Sequence, residues 1–215
     1  MDWTMAKNTS RRNVIRAEDD TTPRNEMGKP YCMSFIFGRN MKDPKASLSF
    51  WSIKYPTVYT ELQKLMSNYD PSFQYTHITL NYNLRCKRHT DGGNLGPSYI
   101  AAFGNFEGGE LIVEVEQHQS SGGIHKSTAT DRHLDLKSRF VKFNGKTQPH
   151  ETSPFHGDRY TLVYYTSDIV PPLVDRRAVS VSSIKAEEHK MNPDSSLAKK
   201  FEAIKAKLGQ RKKPR

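Results

Sequence analysis

The chain has 215 residues, a formal net charge of +10 and a hydrophobic content of 35%. That length suits one domain with a packed core plus polar tails, and the positive balance favours an anionic partner, with nucleic acid first. Two cysteines, Cys32 and Cys86, exclude a disulfide framework and a cysteine-based zinc site, so a reducing compartment is expected.

Residues 1–28 show no sustained period and mix charges freely, which predicts a polar N-terminal extension. YCMSFIFGR (31–39) predicts a strand from its aromatic and β-branched content. YPTVYTELQKLMSNY (55–69) predicts a helix, with Val58, Leu62, Leu65 and Met66 at helical spacing and Pro56 near its start. Strands are expected at 74–84, 98–104, 109–117, 138–145 and 159–166, separated by Gly, Asn and Pro clusters. The segment 117–133 reads as a polar loop or a hairpin excursion. Many short strands with glycine-rich turns imply a mainly β domain with flanking helices, an antiparallel sandwich or barrel spanning 29–175.

Residues 176–215 form a basic C-terminal segment, in which Leu197, Phe201, Ile204 and Leu208 make one apolar stripe. It reads as a surface helix docked on the core, a phosphate-binding arm or a nuclear-targeting tail. No apolar run approaches the ~20 residues of a membrane span, and no apolar block marks a secretory signal. An intracellular protein without membrane contact is the expectation.

The pattern His-x-Asp occurs three times, as His89/Asp91, His133/Asp135 and His156/Asp158. Two imidazoles and one carboxylate can hold one face of a ferrous ion and leave the other face open. In a sheet sandwich the pair must follow an early strand, and the third ligand must lie several strands later. His89/Asp91 meets this condition, with His150 or His156 as the third ligand. His133/Asp135 and His156/Asp158 are read as loop residues. In KFNGKTQPHETSPFHGDRYTLVYYT (142–166), His150 is placed at the end of one strand, PFHGD in a turn, and Arg159 at the start of the return strand, one strand over from His150. This favours His150, and strand alternation sets Arg159, Thr161 and Val163 on one face. Arg159 offers a two-pronged grip for a carboxylate, with Thr161 beside it.

On these residues, roughly 74–167 resembles the Fe(II)- and 2-oxoglutarate-dependent oxygenase superfamily. The matching runs are THITLNYNLRCKRHTDGGNLGPSYIAAFG, NFEGGEL and NGKTQPHETSPFHGDRYTLVYYT. The Gly-Gly-Glu-Leu segment followed by His and Arg-x-Thr is similar to prolyl-hydroxylase-type and TET/JBP-type members. RHTDGGNLGPSYIAAFG is most similar to TET/JBP-like nucleobase oxygenases. The resemblance implies a double-stranded β-helix (jelly-roll, cupin-like) core. It implies Fe(2+) held by His89, Asp91 and His150, with 2-oxoglutarate and O2 as co-substrates. Arg159 and Thr161 would bind the distal carboxylate of 2-oxoglutarate, and Asn81 or Asn83 would touch co-substrate or substrate. Asn94 and Ser98 would lie near the opening. Arg88, Lys87, the loop 117–133 and the basic tail are candidate substrate contacts. The implied reaction is hydroxylation of a C–H bond on a methyl-bearing base in DNA. The alternatives are a protein or small-molecule hydroxylase and a non-catalytic nucleic-acid-binding protein.

Overall fold

The computed structural model describes residues 7–8, 13, 32–40, 48–121, 124–168, 187–188, 199 and 206. The elements in chain order are β1 (Lys7–Asn8), β2 (Cys32–Gly38), α1 (Phe50–Lys54), α2 (Pro56–Tyr69), β3 (His77–Tyr82), β4 (Ser98–Phe103), β5 (Phe106–Gly108), β6 (Leu111–Ser121), β7 (Ile124–Leu134), β8 (Val141–Phe143), β9 (His150–Thr152), β10 (Phe155–Gly157), β11 (Tyr160–Tyr165) and β12 (Glu187–Glu188). A large antiparallel sheet has the order β1-β2-β3-β11-β4-β8-β12, and a smaller one the order β7-β6-β9. The pair β10-β5 forms a third, two-stranded sheet.

The chain winds back and forth between the two main sheets. After β3 it crosses to the small sheet, where His89 bridges His150 at the start of β9. It returns as β4, crosses again for the β6–β7 hairpin, returns as β8, crosses for β9 and closes as β11 between β3 and β4. This alternation is a double-stranded β-helix, in line with the mainly β expectation.

Period-two alternation decides what each face of the large sheet touches. Phe35, Phe37, Ile78, Leu80, Leu162 and Tyr164 point outward and pack under α2, whose Val58, Leu62, Leu65 and Met66 are buried against them. Each such side chain contributes ~1.5–3 kcal/mol on full burial. The opposite face is apolar only in part. Ala102, Val141 and Phe143 meet Leu111, Val113 and Leu134 of the small sheet. Further along, Thr79, Asn81 and Thr161 replace apolar residues and line a cavity between the sheets.

Several local expectations change. The segment 117–133 is the hairpin alternative rather than a loop, since β6 and β7 pair along their full length from Leu111↔Leu134 to Ser121↔Ile124. His133 therefore stands on a strand, where its Nδ1 lies 2.9 Å from Glu110. PFHGD contains β10 rather than a bare turn, because its backbone pairs with β5 in the register Phe155↔Gly108. His156 within it is exposed. Sequence periodicity could not register β5, β9, β10 or α1, because three to five residues are too few to show a period. The N-terminal extension is not wholly separate from the domain: β1 pairs with β2, and the Asn13 carbonyl accepts from the Lys87 amide at 2.8 Å. The predicted C-terminal helix falls outside the described residues apart from Lys199 and Ala206. Among the described residues, no helix is long and apolar enough to cross a membrane.

Candidate metal and carboxylate site

Two backbone hydrogen bonds bring the first and last candidate ligands together. The His89 amide donates to the His150 carbonyl at 3.0 Å, and the His150 amide donates to the His89 carbonyl at 2.9 Å. A narrow antiparallel pair of this kind sets both side chains on the same face, and the two ring centroids are 4.4 Å apart. Asp91 closes the group. Its Oδ1 lies 3.5 Å from His89 Nε2, and its Oδ2 lies 3.6 Å from His150 Nε2. The three ligand atoms lie within 4.8 Å of one another. Donors at about 2.0–2.2 Å from one ion can sit as far apart as the 3.5 and 3.6 Å contacts, so this spacing fits a single divalent cation.

The imidazoles are oriented for that task. His89 Nδ1 lies 2.7 Å from the Lys87 carbonyl, and His150 Nδ1 lies 2.9 Å from the Gln148 carbonyl. A carbonyl only accepts, so each neutral ring carries its hydrogen on Nδ1 and presents the Nε2 lone pair to the centre. Burial holds the His150 pKa below its ordinary value, with the Asp91 charge opposing, which keeps the ring neutral and ready to ligate. Asp91 is held by its amide, which donates to the Gly145 carbonyl at 2.8 Å, and by Asn94 Nδ2, 3.3 Å from Oδ2. Gly145 passes close to the group. A Cβ there would stand 2.8 Å from Asp91 Oδ2 and 3.4 Å from His150 Cε1.

Arg159 lies across the cavity, leading into β11 of the large sheet, whereas His150 opens β9 of the small one. It is thus on the facing sheet, not one strand over, because β10 intervenes and the chain crosses between layers. Its side chain is almost wholly buried, at 2% exposure. Nη2 donates to the Gly109 carbonyl at 2.8 Å and Nη1 to the Leu84 carbonyl at 3.4 Å, while Nε has no hydrogen-bond partner among the described residues. Phe106 and Phe155 flank the guanidinium at 5.6 and 5.3 Å. Burial pushes its pKa down to about 10, which still leaves it charged at neutral pH. Among the described residues no carboxylate pairs with this buried cation. An unpaired buried charge is costly, so the arrangement suits an anionic ligand group.

Both ends face one cavity of about 420 Å³, within the size range of small-molecule sites. Thr161 and Asn81 line it, and Asn81 Nδ2 donates to Thr161 Oγ1 at 3.1 Å. Asn94 lines it too and reaches Ser98 Oγ at 3.4 Å. Ser98 itself is completely buried at the start of β4, so it supports Asn94 rather than opening to substrate. Asn83 is drawn away from the cavity, because its Oδ1 accepts from the Arg159 amide at 2.7 Å. Arg88 points to the outer face of the small sheet and binds Glu114, Asp131 and Glu151, so its guanidinium is already engaged.

Sequence reasoning missed Thr79, Cys86, Thr152 and Asn13, which also line the cavity. Thr79 and Asn81 share the β3 face that alternation assigns inward, and that signal was available. The carbonyls of Lys87 and Gln148 had no signal, since every residue carries one.

No family model matches the chain, and no curated protein sequence matches it. Among solved structures it is similar in part to NgTET1 in complex with 5mC DNA, at 18% identity and a TM-score of 0.38, covering 63% of this chain and 61% of that one. A Pseudomonas putida prolyl-4-hydroxylase gives 13% identity and a TM-score of 0.32, covering 64% and 69% of the two chains. An oxidoreductase of the 2OG-Fe(II) oxygenase family from Burkholderia pseudomallei gives 15% identity and a TM-score of 0.37, covering 67% and 71%. The chain spans less than two thirds of the first of these. These are partial likenesses of fold.

Proposed function

We propose that this chain is an Fe(II)- and 2-oxoglutarate-dependent dioxygenase that hydroxylates a C–H bond. Its proposed substrate is a methyl-bearing base of DNA, 5-methylcytosine or thymine. The observation that carries the reaction type is one cavity with a His89–Asp91–His150 donor set on one wall and, on the other, the buried Arg159, which has no acidic partner among the described residues. Bound iron would supply oxygen activation coupled to conversion of 2-oxoglutarate to succinate and CO2. The protein's part is positional. His89 and His150, with their tautomers fixed, and the Asp91 carboxylate would hold the ion and leave room for further ligands. Arg159 orients the distal carboxylate of the co-substrate, with Thr161 and Asn81 beside it. Phe106 and Phe155 keep water from the guanidinium and so strengthen its hold on that carboxylate.

The DNA reading draws on the net charge of +10 and the sequence pI near 9.5. Phosphate contacts make binding salt-dependent, with a log–log slope of about −0.9 per phosphate neutralised on duplex DNA. A base must also leave the stack to reach an enclosed cavity.

Succinate formation from 2-oxoglutarate with Fe(II) tests the reaction, and His89→Ala is expected to abolish it. Full turnover by purified His89→Ala refutes the metal assignment. Mass spectrometry of DNA, RNA and peptide pools incubated with enzyme, Fe(II) and 2-oxoglutarate tests the substrate. A gain of one oxygen in the DNA pool supports the base-oxygenase reading. Modification of the peptide pool alone replaces it with a protein hydroxylase.

A further inference from the structure

We infer that Arg88 is a positioning residue for the His89–Asp91 pair, tying the loosely paired segment that carries both ligands to three strands of the small sheet through Glu151, Glu114 and Asp131. The inference rests on the metal-site reading above.

The segment 85–91 runs beside β9 without being a strand of the small sheet. It forms no continuous strand and meets β9 through a single bridge, His89↔His150. One further backbone bond, from the Thr152 amide to the Cys86 carbonyl at 2.9 Å, joins it to the end of β9. Two others, from the Lys87 amide to the Asn13 carbonyl and from the Asp91 amide to the Gly145 carbonyl, both at 2.8 Å, reach residues outside any strand, so the two candidate ligands ride on a stretch with little ladder. A metal site works only when its ligands stay within ~0.5 Å of productive geometry.

Register shows where the missing restraint comes from. With His89 opposite His150, the next rung sets Arg88 opposite Glu151. Alternation turns the two imidazoles toward the cavity and turns Arg88 and Glu151 outward. On that outer face Glu114 of β6 stands directly opposite Asp131 of β7. Like charges in this arrangement repel, and Glu151 adds a third carboxylate nearby. The Arg88 guanidinium answers all three. Nη1 donates to Glu114 Oε2 at 2.9 Å, Nη2 to Asp131 Oδ1, and Nε to Glu151 Oε1 at 3.4 Å. One planar fork thus crosses the ligand segment, β9, β6 and β7. A lysine ammonium lacks the fixed fork that meets three acceptors at once.

The same charge count separates this role from substrate binding. One cation among three carboxylates leaves this cluster net negative, which disfavours a phosphate there. The guanidinium is about one-third exposed, at 34%. Solvent then screens each ion pair, and the larger consequence is geometric rather than energetic.

The test uses the full chain with Co(II) as a spectroscopic probe of the site. Arg88→Met is expected to weaken Co(II) binding about tenfold or more, the usual scale for losing an outer support of a ligand, and to shift the visible d–d bands. Arg88→Lys, which keeps the charge and loses the fork, is expected not to restore either. Adding Glu114→Gln and Asp131→Asn to Arg88→Met relieves the repulsion. It should recover the melting temperature without recovering Co(II) affinity, which a purely structural role would not do. Arg139→Met, which removes an ion pair with Asp135, serves as a control expected to bind Co(II) like wild type. Wild-type affinity and spectrum in Arg88→Met overturn the inference. Failure of the wild-type chain to bind Co(II) overturns the metal reading and the inference with it.

Discussion

Replacing Arg159 with methionine separates the two ends of the cavity. The guanidinium is 2% exposed and gives hydrogen bonds to the Gly109 and Leu84 carbonyls at 2.8 and 3.4 Å. Its Nε has no hydrogen-bond partner among the described residues. If it meets the distal carboxylate of 2-oxoglutarate, the contact is a desolvated, charge-assisted pair. Removing one partner of such a pair costs about 2–5 kcal/mol, because the other charge stays buried and unpaired. At 1.4 kcal/mol per decade this is about a 30-fold to 4,000-fold loss of co-substrate affinity. Methionine keeps most of the volume between Phe106 and Phe155. Two buried carbonyls lose a donor, and stability falls by ~1–3 kcal/mol for each left unsatisfied. Isothermal titration of 2-oxoglutarate into the Mn(II)-loaded protein measures the affinity, and Mn(II) binding alone provides the control. Arg159→Met should lose 2-oxoglutarate binding and keep Mn(II) binding, since no metal ligand contacts it. An unchanged 2-oxoglutarate affinity in a folded Arg159→Met protein refutes the carboxylate role.

Other substitutions probe separate features. Gly145→Ala places a Cβ 2.8 Å from Asp91 Oδ2 and should weaken Co(II) affinity at least ~10-fold; a titration matching wild type would show that Asp91 can give way. Leu62→Ala empties a fully buried position between α2 and the large sheet and should cost about 2–5 kcal/mol by urea denaturation. A loss well under 1 kcal/mol would mean that α2 repacks. His77 is wholly buried, bonds Thr76 Oγ1 at 2.7 Å and stacks on Tyr165, and burial lowers its pKa below 6.5. The unfolded chain therefore takes up a proton near pH 6.5 while the folded chain stays neutral. Stability is complete above that pH and declines as pH falls, until the folded state also protonates. The melting temperature should drop on acidification below pH 6.5, and His77→Gln should flatten the drop. Equal slopes in the two proteins would remove His77 as the cause.

Legibility in the sequence followed the length of each element. The helix 55–69 corresponds to α2, because Val58, Leu62, Leu65 and Met66 recur at helical spacing and form its buried face. The strands at 98–104 and 159–166 correspond to β4 and β11 within two residues, because each is a run rich in aromatic and aliphatic side chains set between turn residues. β5 and β10 have three residues each, too few to show one. They nonetheless carry Phe106 and Phe155 against Arg159. Arg88 shows the limit for single residues. A cation beside a candidate metal ligand suggests a phosphate contact, and nothing local reveals that β6, β7 and β9 each aim a carboxylate at it.

The sequence alone determined the class of fold and picked out His89, Asp91, His150, Arg159 and Thr161 as candidates, because alternation, turn residues and donor types are properties of neighbouring positions. Only the tertiary structure decided that Arg159 faces the donor set from the opposite sheet, that the Lys87 and Gln148 carbonyls set the imidazole tautomers, and that Asn83 and Arg88 are occupied elsewhere. Those facts depend on which strands cross between layers, and crossing is set by packing between segments far apart in the chain, which no local pattern encodes.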